Sequence, residues 1–188
     1  MTGRLNKKTI IVTGAGSGLG RASALKLAEE DAQVFCVDIN PETVKETSDI
    51  ITSRGGVAYH YQADMCSETE IIAMVTEAEK TYNGIDGLLA NAGIAGTGAA
   101  HETSLEDWDR LIKVSLTGKW LCAKHVIPHF IAKKSGNIVF QSSICALNGF
   151  PKLVAYTAAK GAIAAITRQM ASDYGEYNIR INAIAPGT

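Results

Sequence analysis

Thr9-Ile10-Ile11-Val12-Thr13-Gly14-Ala15-Gly16-Ser17-Gly18-Leu19-Gly20-Arg21 is the stretch whose reading decides the fold. A short β-branched run enters a turn in which every second residue from Gly14 to Gly20 is glycine, and an amphipathic helical pattern follows. Glycines at such a strand-to-helix junction permit positive φ and bring the backbone close to a ligand, while the first N–H groups and the dipole of the helix favour an anion such as a pyrophosphate. The spacing is not GxGxxG, since Leu19 and Arg21 stand where its third glycine would fall. It is TGxxxGxG, carried by Thr13, Gly14, Gly18 and Gly20.

Outward from that junction the same alternation repeats along the chain. Strand patterns occupy Thr9–Thr13, Gln33–Asp38, Val57–Gln62, Ile85–Asn91, Gly136–Ser142 and Arg180–Ala185, with helix patterns near 19–30, 41–54, 67–82, 104–132 and 153–175 between them. Six nearly continuous apolar strands separated by helices predict an α/β fold: a doubly wound parallel sheet with helices on both faces. Asn40 before Pro41, Ser67 three residues before Glu70, and Ser104 before Glu106 and Asp107 mark helix starts. With 46% hydrophobic residues and no linker-like shift in composition, residues 1–188 are predicted to share one core. Eighteen glycines but only four prolines point to tight turns and not to disorder.

Charge and cysteine usage exclude several functions. A net charge of −1 gives no basis for a nucleic-acid surface or a polybasic membrane anchor. No apolar run is long enough to span a bilayer, and the polar start lacks a signal-peptide core, so a cytoplasmic location is expected. Cys36, Cys66, Cys122 and Cys145 form no CxxC pair and read as free thiols, Cys145 as a small buried hydrophobe. His125 and His129 share a helix face, but Val126 and Pro128 break the zincin pattern and no metal is expected. Trp108 and Trp120 read as packing residues, and Lys133-Lys134 as a solvated helix end.

Two further features carry chemistry. Asp38 closes the second strand, 18 residues after Gly20, where a carboxylate accepts from the ribose 2′-OH of a dinucleotide and repels a 2′-phosphate. The cofactor expected is NAD rather than NADP, and Ser17, where an arginine would grip that phosphate, agrees. Arg21 and Arg54 stand against it. Tyr156-Thr157-Ala158-Ala159-Lys160 sets a phenol and an ammonium one helical turn apart. Composition alone yields about 0.4 such pairs in a chain of this length, so the spacing gains weight only from Ser143 just past the fifth strand and from the glycine loop. A free phenol ionises near pH 10, so Tyr156 as a base near neutrality needs the neighbouring positive charge.

With these residues the chain resembles the short-chain dehydrogenase/reductase family, in its single-domain, NAD-preferring branch. The resemblance covers essentially the whole chain and adds Asp64, Asn91-Ala92-Gly93 and Asn182-Ala183-Ile184-Ala185-Pro186-Gly187 to the motifs above. It implies a Rossmann sheet in which Gly14, Ser17, Gly18, Leu19 and Gly20 hold the cofactor with Asp38. Asp64 and Met65 would meet the adenine, and Asn91, Ala92 and Gly93 would line the cleft. Pro186 and Gly187 would pass beside the nicotinamide. Ser143, Tyr156 and Lys160 would be catalytic, with Lys160 also holding the nicotinamide ribose. Where the family usually has an asparagine completing a tetrad, this chain has Ser115, and Ala90 replaces the first asparagine of Asn-Asn-Ala-Gly.

The activity implied is NAD(H)-linked interconversion of a small-molecule secondary alcohol and a ketone, with no nucleic acid or membrane as partner. An NADP(H)-linked 3-oxoacyl reductase and an inactive truncated nucleotide-binding scaffold are the alternatives. A homo-oligomer through the fourth and fifth helices, near 104–132 and 153–175, is also implied. Relative to the family pattern the chain is expected to be incomplete at its C-terminus, without the seventh strand and the substrate-covering segment.

Overall fold

The computed structural model describes residues 3–187. The opening stretch forms strand β1 (Thr9–Thr13) and helix α1 (Gly18–Glu29), followed by β2 (Gln33–Asp38), α2 (Pro41–Ser53), β3 (Val57–Gln62), α3 (Glu68–Tyr82) and β4 (Gly87–Ala90). Helix α4 (Leu105–Ile112), a π-helical turn (Lys113–Thr117) and α5 (Gly118–Lys133) come next. The described residues end with β5 (Gly136–Gln141), a 3₁₀ turn (Ile144–Ala146), α6 (Val154–Tyr174), a second 3₁₀ turn (Gly175–Tyr177) and β6 (Ile179–Ile184).

All neighbouring strands pair in parallel, in the order β3-β2-β1-β4-β5-β6. The chain therefore winds outward from β1 to β3, returns to the middle and winds outward again from β4 to β6. This is a Rossmann-like α/β sheet, and its reversal point lies between β1 and β4. The loops leaving those two strands part in opposite directions and open a crevice.

Period-two alternation in the strands feeds two cores. On β2, Phe35 and Val37 face one side, where Ile11, Leu88 and Phe140 join Ile71 and Met74 of α3, Val126 and Phe130 of α5, and Ile163 of α6. Val34 and Cys36 face the other, packing with Val12 against Ala24 of α1 and Val44 and Ile51 of α2. Each of the large side chains among these stabilises the fold by roughly 1.5–3 kcal/mol through its burial. A smaller cluster fixes α4 on α6 through Leu111, Ala155 and Ala159.

Both edge strands depart from the near-continuous burial expected of them. Residues 57, 59, 60 and 62 of β3, on both its faces, and 180, 182 and 184 of β6, on one face, are exposed, because an edge strand has one neighbour and here is only partly covered. The helix starts follow the caps read from the sequence. Asn40 accepts from the Thr43 N–H at 2.9 Å, Ser67 from Glu70 at 3.3 Å and Ser104 from Asp107 at 3.1 Å. The box at Ser67 is half formed, since the Glu70 carboxylate accepts instead from the Asp64 N–H at 2.8 Å. Lys133 is not a purely solvated helix end, because its ammonium pairs with Asp86.

The single helix expected over 104–132 is divided. The π turn at Lys113–Thr117 inserts an extra residue between α4 and α5. Its cause is tertiary: the Ser115 hydroxyl accepts from the Ile94 N–H at 3.0 Å and donates to the Ile94 carbonyl at 3.2 Å, pinning the turn to the loop after β4.

Candidate active site

The crevice at the sheet's reversal point is a cleft of about 780 Å³, within the size range of small-molecule and cofactor sites. Its floor is the glycine turn. Gly14 sits at φ +68°, and a Cβ there would lie 2.8 Å from the Asn91 side-chain nitrogen and 2.9 Å from the Ala92 Cα. Gly18, at φ +51°, faces open space on the cleft side, so its backbone is accessible to a ligand. Gly20 lies beneath, against the Gly14 carbonyl, and supports the turn without reaching the cleft wall. Thr13 locks the two central loops together, its Oγ1 accepting from the Asn91 and Ala92 N–H groups at 3.1 Å each. Asn91 returns the tie, its side-chain amide donating to the Thr13 and Gly14 carbonyls at 3.1 and 3.3 Å.

At one end of the cleft, the Asp38 carboxylate accepts from the Gly16 N–H at 2.9 Å and the Asn40 N–H at 3.1 Å. It caps the chain after β2 while lining the cleft. Arg21 points elsewhere. Its guanidinium donates to the Gly16 carbonyl at 2.7 and 3.1 Å and pairs with Glu46 at 2.6 Å. Asp64 accepts from the Cys66 N–H at 2.8 Å and lines the cleft beside Met65, with Ser17 and Leu19 across from them.

At the other end stand Ser143, Tyr156 and Lys160, with Pro186 and Gly187 closing the wall. Ser143 follows β5, and its Oγ accepts from the Cys145 N–H at 3.1 Å, which leaves its own hydrogen to donate into the cleft. Tyr156 and Lys160 lie on the first turns of α6, and the Lys160 Nζ is 5.3 Å from the centre of the Tyr156 ring. Lys160 is buried and donates to the Gln141 carbonyl at 3.0 Å. Burial lowers its pKa from the ordinary lysine value.

The sequence-derived residues therefore assemble at one cleft, apart from two. Gly20 is structural support, and Ser115 is fully buried with its hydroxyl committed to Ile94, so it does not line the cleft. Residues that no motif announced also line it, among them Arg110 and Val114. Lys119 is a further omission. It lies behind Gly93 with 1% exposure, and its ammonium donates to the same Gln141 carbonyl as Lys160, at 2.7 Å. The one signal available for it was a lone lysine in the apolar run from Leu116 to Ala123. Cys145 is buried as expected. His125 and His129 pair with Glu68 and Glu79, and no cluster suited to a metal occurs among the described residues. Trp108 packs as expected, whereas Trp120 on α5 is 44% exposed. No helix among the described residues is long and apolar enough to cross a membrane.

Comparison with known proteins places this geometry. The family model described as short chain dehydrogenase matches residues 8–188. The chain is 38% identical over its full length to 2-(S)-hydroxypropyl-CoM dehydrogenase 3 of Xanthobacter autotrophicus, spanning 74% of that protein. It is 37% identical over 185 residues, 97% of its length, to 2,5-dichloro-2,5-cyclohexadiene-1,4-diol dehydrogenase of Sphingobium indicum, spanning 73% of that protein. Among solved structures, NAD+-bound xylitol dehydrogenase superposes with a TM-score of 0.95 at 34% identity, over 98% of this chain and 71% of the other.

Proposed function

The chain belongs to the short-chain dehydrogenase family of oxidoreductases, and from that premise we propose that it interconverts a secondary alcohol and a ketone with NAD(H) as cofactor. The observation that carries the reading is the Lys160 ammonium 5.3 Å from the Tyr156 ring, with Ser143 on the same cleft wall. The cleft fits a dinucleotide. Gly18 offers open backbone, the first N–H groups of α1 offer donors to a pyrophosphate, and Asp38 offers an acceptor to ribose hydroxyls. The negative charge at Asp38, and the engagement of Arg21 by Gly16 and Glu46, support NAD over NADP.

Bound NAD supplies the acceptor for the hydrogen and electron pair that leave the alcohol carbon. The protein's own residues handle the oxygen and its proton. Ser143 donates its hydroxyl hydrogen to the substrate oxygen and fixes its position. Tyr156, one helical turn from Lys160, takes the hydroxyl proton at its Oη in oxidation and returns it in reduction. The Gln141 carbonyl holds Lys160 in place. Ile94, Ala95 and Val114 make part of the cleft apolar, and the names of the relatives support a hydroxylated carbon substrate.

The reading predicts that Tyr156→Phe lowers turnover of a panel of secondary alcohols by at least about a thousandfold, the scale of general-base catalysis. NAD affinity by calorimetry should stay within about threefold, since the ring remains. Retained turnover would overturn the mechanism, and NAD binding without turnover in the unmodified chain would overturn the activity. The same family reading supports a homodimer through α5 and α6, with Trp120 in the interface; a monomer by light scattering would exclude it.

A further inference from the structure

Lys119 has no part in the chemistry described above, yet it is one of the largest fully buried side chains of the molecule. A buried lysine without a counter-ion is costly as an ammonium. Three elements bring it to its place. The π turn sets the phase of α5, the loop at Gly93 packs beside its stem, and the end of β5 presents the Gln141 carbonyl. That carbonyl accepts from both Lys119 and Lys160, at 2.7 and 3.0 Å, so the two side-chain nitrogens converge on one oxygen. The other titratable groups facing the pair are Cys122 on α5, Cys145 in the 3₁₀ turn and Tyr156 on α6. None of them is a carboxylate.

Two ammonium groups sharing one oxygen in a dry site repel each other strongly. One ammonium beside one neutral amine is stable, because the amine accepts from the ammonium. We propose that Lys119 is a positioning residue that acts as a neutral amine: it donates one hydrogen to Gln141, accepts one from the Lys160 ammonium, and so keeps the pair's single proton on the lysine that faces the cleft. The hydrogens then balance. Lys160 directs one to Gln141, one to Lys119 and the third toward Tyr156 and the cleft. Burial first, and the Lys160 charge second, push Lys119 down to about 6, in keeping with an amine near neutrality. The positive charge that activates Tyr156 is thereby held in place from behind.

The charge assignment can be read without turnover and without cofactor. In the intact chain labelled at lysine with ¹³C and ¹⁵N, side-chain NMR at pH 7.5 is expected to show eleven ammonium groups and one amine among the twelve lysines. Lys119→Met and Lys160→Met identify the two resonances. Twelve ammonium groups, or an amine assigned to Lys160, would overturn the proposal. In Lys119→Met the Lys160 titration midpoint should fall by about 1 pH unit, because its charged form loses an acceptor. If Lys119 were instead a repelling ammonium, the midpoint would rise, and that result or an unmoved midpoint sinks the idea. The effect on Tyr156 rests on the dehydrogenase reading. It predicts that the alkaline limb of kcat/KM for cyclohexanol oxidation moves down with the Lys160 midpoint. A shared proton in a chain that oxidises none of the alcohols would count against the activity and leave the lysine pair standing.

Discussion

Two glycines of the same turn are expected to fail in opposite ways when given a methyl group. At Gly14 an alanine meets three penalties. Its φ of +68° is a left-handed conformation, which disfavours a side chain by roughly 1–2 kcal/mol. Its Cβ would lie 2.8 Å from the Asn91 side-chain nitrogen and 2.9 Å from the Ala92 Cα. Overpacking against backbone of that kind costs about 1–3 kcal/mol. Displacing the Asn91 amide also weakens its bonds to the Thr13 and Gly14 carbonyls, each contributing about 1 kcal/mol. With both bonds lost the sum is about 4–7 kcal/mol, or a fall in Tm of roughly 8–28 °C for a chain of this size. At Gly18 the φ of +51° leaves the strain, but the methyl group meets nothing within 4 Å. The fall in Tm should be only about 2–8 °C. The new methyl group stands instead in the space a pyrophosphate would approach, and NAD affinity should drop by about tenfold or more. Thermal unfolding by circular dichroism with calorimetric titration of NAD on both variants separates the effects. Gly18→Ala destabilising the fold as much as Gly14→Ala would refute the packing argument, and Gly18→Ala binding NAD normally would refute the placement of the phosphates.

Other consequences are open to direct measurement. Asp38→Asn keeps an acceptor for the Gly16 N–H and removes the charge. Losing a charge-assisted bond to the ribose and the repulsion of a 2′-phosphate should together change the NAD to NADP affinity ratio by about a hundredfold toward NADP; a change under about threefold in calorimetry would remove Asp38 from cofactor choice. At Asp86, burial acts to raise the pKa, but hydrogen bonds from Lys133, the Thr9 N–H and Lys8, with the nearby Lys133 charge, outweigh it and hold the carboxyl below its ordinary value. Its contribution to stability is therefore present above the unfolded carboxylate value near 4 and lost as pH falls through the lower folded value. Urea midpoints between pH 2.5 and 6 should show that loss in the native chain and a flatter curve in Asp86→Asn; identical slopes would exclude the pairing as a source of acid sensitivity.

The βα alternation and the glycine turn were legible in the sequence because their causes are local. A β-branched strand, a turn needing positive φ and a capped helix each announce themselves within a few residues, and Asn40, Ser67 and Ser104 cap as their types require. The cleft was legible because a parallel sheet that reverses direction brings Gly14 and Asn91 together, however far apart they lie in the chain. The π turn was not. Apolar periodicity runs unbroken through 104–132, and the partner that bends the helix is the backbone of Ile94, which no spacing rule connects to Ser115. Lys119 was hidden for the same reason: a lysine reads as surface until another element supplies a buried acceptor. Lys133 was misread in the same direction, since its carboxylate partner Asp86 lies 47 positions away.

The π turn also imposes a constraint of counting. A normal helix turns about 100° per residue, so the extra residue within Lys113–Thr117 resets the direction of every side chain that follows relative to those before. Leu111 packs with Ala155 and Ala159 of α6, while Val126 and Phe130 beyond the turn pack in the core under the sheet. Deleting a single residue there would swing Lys119 away from Gln141 and carry the Phe130 ring out of the core four turns downstream. The number of residues in this segment is under control together with the identity of Ser115, whose hydroxyl pins it.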